Sequence, residues 1–110
     1  MKTPVQIQIP THRNPPEGKT RGKKFGPEHH AAFEQKLAEL FEGFSLQPGL
    51  IKGGWVHEGK TYPDTTMAYS VDVAGLIGQG EAVREMIQFA KAHYEQLKIR
   101  ITYLNVSEVL

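Results

Sequence analysis

Apolar and polar residues alternate with a period of two in MAYSVDV, which puts Met67, Tyr69, Val71 and Val73 on one face and Ala68, Ser70 and Asp72 on the other. That is the pattern of a strand buried on one side only. The stretch from Phe44 to Val73 organises the chain, because it holds this clearest strand and a partner beside it. A short first strand is predicted where Val5, Ile7 and Ile9 alternate with Gln6 and Gln8. Pro10 stops it, since proline cannot donate to a sheet ladder. Phe44 to Leu46 is extended, and Pro48-Gly49 signals a turn or bulge. Leu50 to His57 is a second strand, interrupted by Gly53-Gly54 and so expected at a sheet edge. Glu58-Gly59 marks a hairpin turn, Tyr62-Pro63-Asp64 a further bend, and Thr65 to Val73 the third strand. Ile99 to Val106 forms the last strand, with Ser107 to Leu110 as a tail extending it.

Two segments carry helical spacing instead. Gly26 caps the first, Pro27 takes its first position, and Glu28 lies in the first turn where a carboxylate suits the helix dipole. Phe33, Leu37, Leu40 and Phe41 recur on one face, and Gly43 closes the helix. In the second, Glu81 to Leu97, an apolar stripe of Val83, Met86, Ile87, Ala90, Tyr94 and Leu97 opposes a charged face. A glycine-rich loop, Ala74 to Gly80, precedes it. The order strand, helix, strand, strand, helix, strand predicts an α+β, ferredoxin-like βαββαβ sandwich. Right-handed crossovers place the first and third strands in the middle of a four-stranded antiparallel sheet, with both helices on one face. The expected interior includes Phe33, Leu37, Met67, Tyr69, Val71, Val83, Ile87 and Ile101. The open face carries Gln6, Gln8, Ser70 and Asp72, which suits a wet surface, a ligand platform or half of a subunit contact.

This arrangement resembles ferredoxin-like domains, among them the PII-like signalling proteins and the dimeric α/β-barrel proteins. The segments FEGFSLQPG, GGWV and TYPD are similar to those of small uncharacterised bacterial proteins of this fold. The open sheet face and the edge strand lead to the expectation of an oligomer, and no cofactor is expected. The resemblance carries no nucleotide-binding fingerprint onto these residues.

With 110 residues, 39% hydrophobic and 23% charged, the chain is one globular domain, 1–110. It has no cysteine, which excludes disulfides, thiolate catalysis and cysteine-ligated metal sites. No apolar run approaches a signal-peptide core or a membrane span, so a cytoplasmic location with no membrane partner is expected. The net charge of +1 hides an asymmetry: between His12 and Lys24 five cations face only Glu17, a local balance of +4 against −3 elsewhere.

Those cations lie on a connection, Thr11 to Gly26, longer than compact domains usually employ, and it is expected to be flexible. Arg13, Lys19, Arg21, Lys23 and Lys24 could hold a phosphate or nucleotide ahead of a helix N-terminus. A solvated loop without a ligand is the plain alternative. Gly18-Lys19-Thr20 is not a P-loop, because the glycine required five positions earlier is Arg13. Adjacent His29 and His30 point about 100° apart and cannot form the usual helical metal pair, so no metal site is expected. His57, near Glu58 and Asp64, is the first acid/base candidate, with Tyr62 and Asp72 as further polar groups. Trp55 is expected to pack in the core or at a subunit contact.

Two functions compete on these grounds. The first is a small homodimeric or larger binding or regulatory domain whose basic loop captures an anionic ligand. The alternative is a cofactor-free enzyme of the dimeric α/β-barrel type. Nucleic-acid binding is disfavoured because the exposed central strands offer no stacking aromatics.

Overall fold

The computed structural model describes residues 2–74, 80–103 and 106–109, the last four by their backbone. The elements run β1 (Thr3–Pro10), α1 (Pro27–Phe41), β2 (Ser45–Leu46), β3 (Ile51–His57), β4 (Lys60–Val73), α2 (Gly80–His93), β5 (Arg100–Tyr103) and β6 (Val106–Val109). All described strands join one antiparallel sheet in the order β2-β4-β1-β5-β6, with β3 also on β4. The chain has the ferredoxin-like α+β fold, with β1 and β4 side by side at its centre.

Register explains the core. Val5, Ile7 and Ile9 sit opposite Val71, Tyr69 and Met67, and Ile7 also opposes Ile101. Residues paired across a sheet share a face, so these side chains form one apolar surface. Phe33, Leu37 and Phe41 of α1 and Met86 and Ala90 of α2 close over it. Between the helices Phe33 lies against Phe89, and the His29 and His93 rings stack with centroids 3.8 Å apart. Each of those rings places Nε2 2.7 Å from the other residue's carbonyl oxygen. A carbonyl only accepts, so both Nε2 atoms carry the hydrogen.

Four expectations need correction. The described residues form a six-stranded sheet, because Ser107 and Glu108 pair with Thr102 and Ile101 instead of extending the last strand. Residues 104, 105 and 110 of the expected last strand and tail, and 75–79 of the expected glycine-rich connection, lie outside the described residues. Next, no bend occurs at Tyr62-Pro63-Asp64, because β4 continues through it. Pro63 is tolerated opposite Gly54 because β1 pairs only with Thr66–Val73, so the missing N–H can face an edge that carries no strand there. The second strand is likewise unbroken at Gly53-Gly54.

Third, α2 stops at His93, and Leu97 is 92% exposed instead of closing the stripe. Glu95 adopts a φ of 55°, the Glu95 N–H bonds to Ala92 O at 3.3 Å, and the Gln96 N–H reaches back to Lys91 O at 2.8 Å. These are the paired bonds of a Schellman ending, which turns the chain out before Leu97. Helix α1 ends similarly, but on Glu42 at φ 65° and not on Gly43. Fourth, of the two places expected for Trp55, core or subunit contact, the core is excluded. Trp55 stands 48% exposed on β3 with its ring 4.3 Å from that of Tyr62.

The Glu58-Gly59 turn has φ of 51° and 75°, the positive pair that matches a two-residue hairpin to strand twist. Every residue of β3 is exposed, so this hairpin projects from the body, and the molecule measures 47 × 29 × 24 Å. No helix among the described residues is long and apolar enough to cross a membrane.

Burial differs between neighbouring residues of α2: Met86 is fully buried and Ile87 only partly. Met86→Ala should therefore cost about 2–5 kcal/mol and Ile87→Ala clearly less. Urea titrations of the two variants check this ordering; an equal or larger loss at Ile87 would contradict the orientation of the helix.

Candidate functional site

The connection from Thr11 to Gly26 doubles back on itself. The Thr11 N–H donates to Thr65 O at 3.0 Å, carrying the chain one residue past β1 alongside β4. The Phe25 N–H then donates to Thr11 O at 2.9 Å and the Arg13 N–H to Lys23 O at 2.7 Å, so the two ends of the loop run antiparallel. Gly22 permits this approach, because a Cβ there would lie 2.3 Å from Arg13 O. Phe25, at the returning end, is buried against the His29 and Tyr94 rings. The loop is also tied to the end of α2, where Asn14 Nδ2 donates to Glu95 O at 2.8 Å and Arg13 pairs with the Glu95 carboxylate at 3.1 Å.

Between this doubled loop, α1 and β4 lies a cleft of about 770 Å³. Phe25, Pro27, Leu50 and Met67 give it apolar walls, while His12 and Lys24 enter from the loop, His30 and Glu34 from α1, and Tyr69 from β4. His30 and Glu34 are four residues apart on one helix and so share its face. The Tyr69 hydroxyl donates to Glu34 Oε2 at 2.6 Å. Burial, and then this hydrogen bond to the carboxylate, push the Tyr69 ionisation well above the ordinary tyrosine range, so the phenol stays a donor. Tyr94, whose hydroxyl lies 2.8 Å from His30 Nδ1, is raised in the same direction, chiefly by burial.

His12 places Nδ1 2.7 Å from Thr11 Oγ1, and that hydroxyl donates its own hydrogen to Thr65 O at 3.1 Å. The Nδ1 atom is therefore the donor, which sets the neutral tautomer of His12. Burial, Arg21 and Lys24 lower the proton affinity of this ring below the usual histidine value. His30 is lowered as well, by burial first and by the neighbouring His29, with Glu34 acting the other way.

The five loop cations do not converge. Lys24 lines the large cleft. Arg13 is bound to Glu95 and lies 4.7 Å over the Phe25 ring, and Arg21 donates to Thr65 Oγ1 at 2.9 Å. Both arginines line a second, smaller cleft of about 180 Å³, shared with Trp55 and Asp64. Lys19 and Lys23 are exposed. The acid/base candidates are spread further. His57 stands 3.6 Å from Glu58 at the hairpin tip, Tyr62 lies under Trp55, and Asp72 is ten residues along β4 from Tyr62, about 30 Å of extended chain. Glu34, His30 and Tyr69 were not among the expected site residues. The i,i+4 pair His30/Glu34, on a helix beginning beside a basic loop, was the signal that could have found them. Among the described residues no group of three or more metal-ligating side chains converges.

These features define a small ferredoxin-like domain with a cleft between its first connection and its sheet. Solved structures share the fold. The divalent cation tolerance protein CutA1 of Thermus thermophilus is 17% identical, with a TM-score of 0.57 over 98% of this chain and 86% of that one. The periplasmic divalent cation tolerance protein CutA of Archaeoglobus fulgidus is 18% identical, with a TM-score of 0.57 over 100% and 88%. A phage SAM lyase in complex with S-methyl-5'-thioadenosine is 8% identical but superposes with a TM-score of 0.67 over 99% and 87%. No protein-family model and no curated protein sequence matches the chain. At such identities the likeness is one of fold.

The lowered His30 has a pH consequence. Its folded-state proton affinity lies below the ordinary value of 6.5, so the unfolded chain takes up the proton first and stability falls as pH drops below 6.5. His12 acts with the same sign. Urea midpoints should therefore be flat above neutrality and decline below pH 6.5, and His30→Gln should shrink that decline. An unchanged decline in the variant would remove His30 as its source.

Proposed function

We propose that the protein is a small homo-oligomeric binding domain whose cleft takes an anionic small molecule of nucleotide size, with Lys24 as the principal charge contact. The carrying observation is the cleft itself, about 770 Å³ with apolar walls and Lys24 and His12 from the basic loop at its lining. A pocket of this size and mixed lining suits a small organic molecule better than a bare ion. Support also comes from the phage SAM lyase, a protein of the same fold that holds S-methyl-5'-thioadenosine. The cofactor-free enzyme has no comparable support, since His57, Tyr62 and Asp72 line neither of the clefts described above.

Self-association is favoured by the projecting hairpin, where Leu50, Ile51, Trp55 and Val56 expose apolar surface that a second copy would cover. A dimer or larger assembly is expected.

Calorimetry with ATP, ADP, inorganic phosphate and a short single-stranded oligonucleotide at low and high salt tests the ligand. Nucleotide binding should weaken as salt screens Lys24, over a Debye length of about 10 Å at 0.1 M. Lys24→Ser should weaken it by about tenfold or more, the scale of one charge-assisted hydrogen bond, and Lys19→Ser should leave it nearly unchanged. If no nucleotide binds tighter than millimolar at low salt, or Lys24→Ser binds as well as the parent, the reading fails. Light scattering tests the assembly: a mass that stays at 12.3 kDa across micromolar concentrations would exclude it.

A further inference from the structure

Resting on the reading of the cleft as an anion-binding site, we infer that Glu34 is its specificity group, and that the ligand is a nucleotide whose base presents an N–H donor to the Glu34 carboxylate. Glu34 lines the same cleft as Lys24 and His12. A carboxylate there would repel a simple inorganic anion, and such an anion would leave the apolar walls of Phe25, Leu50 and Met67 unused. Both objections vanish for a ligand with three parts: an anionic group for Lys24, a flat apolar body for the walls, and an N–H donor for Glu34. An aminopurine nucleotide has all three.

Geometry prepares Glu34 for this role. The Tyr69 hydroxyl donates to Oε2 at 2.6 Å and so holds that oxygen of the carboxylate. Oε1 makes no hydrogen bond among the described residues and remains an acceptor. Tyr69 is anchored in turn, since its ring is wholly buried, opposite Ile7 in the central strand pair and edge-on to Phe33 at 5.5 Å. His30, the other polar group on this face of α1, has its Nδ1 engaged by the Tyr94 hydroxyl at 2.8 Å. A preorganised carboxylate at the edge of an apolar cleft discriminates strongly, because a ligand without the donor leaves it desolvated and unpaired.

The probe pair is adenosine 5'-monophosphate and purine riboside 5'-monophosphate, which differ only by the exocyclic amine. In calorimetry at low salt the parent should bind the first about tenfold or more tightly than the second, the scale of a lost hydrogen bond to a charged group. Glu34→Ala should bring that ratio close to one, and Tyr69→Phe, which keeps Glu34 but frees its orientation, should reduce it partway. Lys24→Ser should weaken both nucleotides by the same factor and preserve the ratio. A parent ratio near one, or a ratio retained in Glu34→Ala, overturns the role of Glu34 while leaving anion binding intact. Failure of both nucleotides to bind the parent overturns the anion-binding reading together with it. Matching thermal unfolding of parent and variants confirms that each comparison is between folded proteins.

Discussion

The hydrogen bond from Tyr69 to Glu34 is the point where the core and the cleft depend on each other. Tyr69 is fully buried in the middle of β4, held between Ile7 on the neighbouring strand and Phe33 on α1. A phenol in such a place must find an acceptor or leave a buried polar atom unsatisfied, at a cost of about 1–3 kcal/mol. Glu34, the residue after Phe33 on the covering helix, is that acceptor. The same residue spacing that turns Phe33 inward thus puts a carboxylate at the boundary of the core. The packing of α1 on the sheet and the electrostatics of the cleft are fixed by one contact.

Much of this architecture is legible in the alternation of β1 and β4, because a strand buried on one face leaves a period-two signature that few other structures share. Val5, Ile7, Ile9, Tyr69, Val71 and Val73 all lie inside as their spacing predicts. Element ends were harder to read. The Schellman ending of α2 depends on Glu95 accepting a left-handed conformation, which glycine usually signals and glutamate does not. Pro63 misleads for the opposite reason: a proline marks a break only where its missing N–H would have had a partner, and that is a property of the neighbouring strand. The return of β6 on β5 leaves no clear turn motif in the sequence.

The site was less legible than the fold. A run of five cations reads as a single binding feature, yet in three dimensions a charged side chain is available only if the fold has not already given it a partner. Arg13 is engaged by Glu95 and Arg21 by Thr65, both more than forty residues away along the chain. Lys24 escapes this because it sits next to Phe25, whose burial brings the returning limb of the loop against the body. Its place at the cleft therefore derives from an apolar neighbour. Charge density alone would rank all five equally.

β4 shows how one strand can serve two purposes. Its second half, paired with β1 on one edge and β2 on the other, is core. Its first half pairs with β3 alone and projects as a two-stranded ribbon, a form only marginally stable when isolated in water. Here the ribbon is a continuation of a central strand, and Trp55 stacked on Tyr62 clasps its two limbs. That clasp orders the hairpin without burying it, so Trp55, Val56 and Ile51 remain exposed to a degree that intrachain packing does not explain. Leu50, at the start of the same ribbon, also lines the cleft. Any partner that covered this surface would also touch the wall of that cleft, so the proposed assembly and the proposed ligand binding would be coupled through the base of the hairpin.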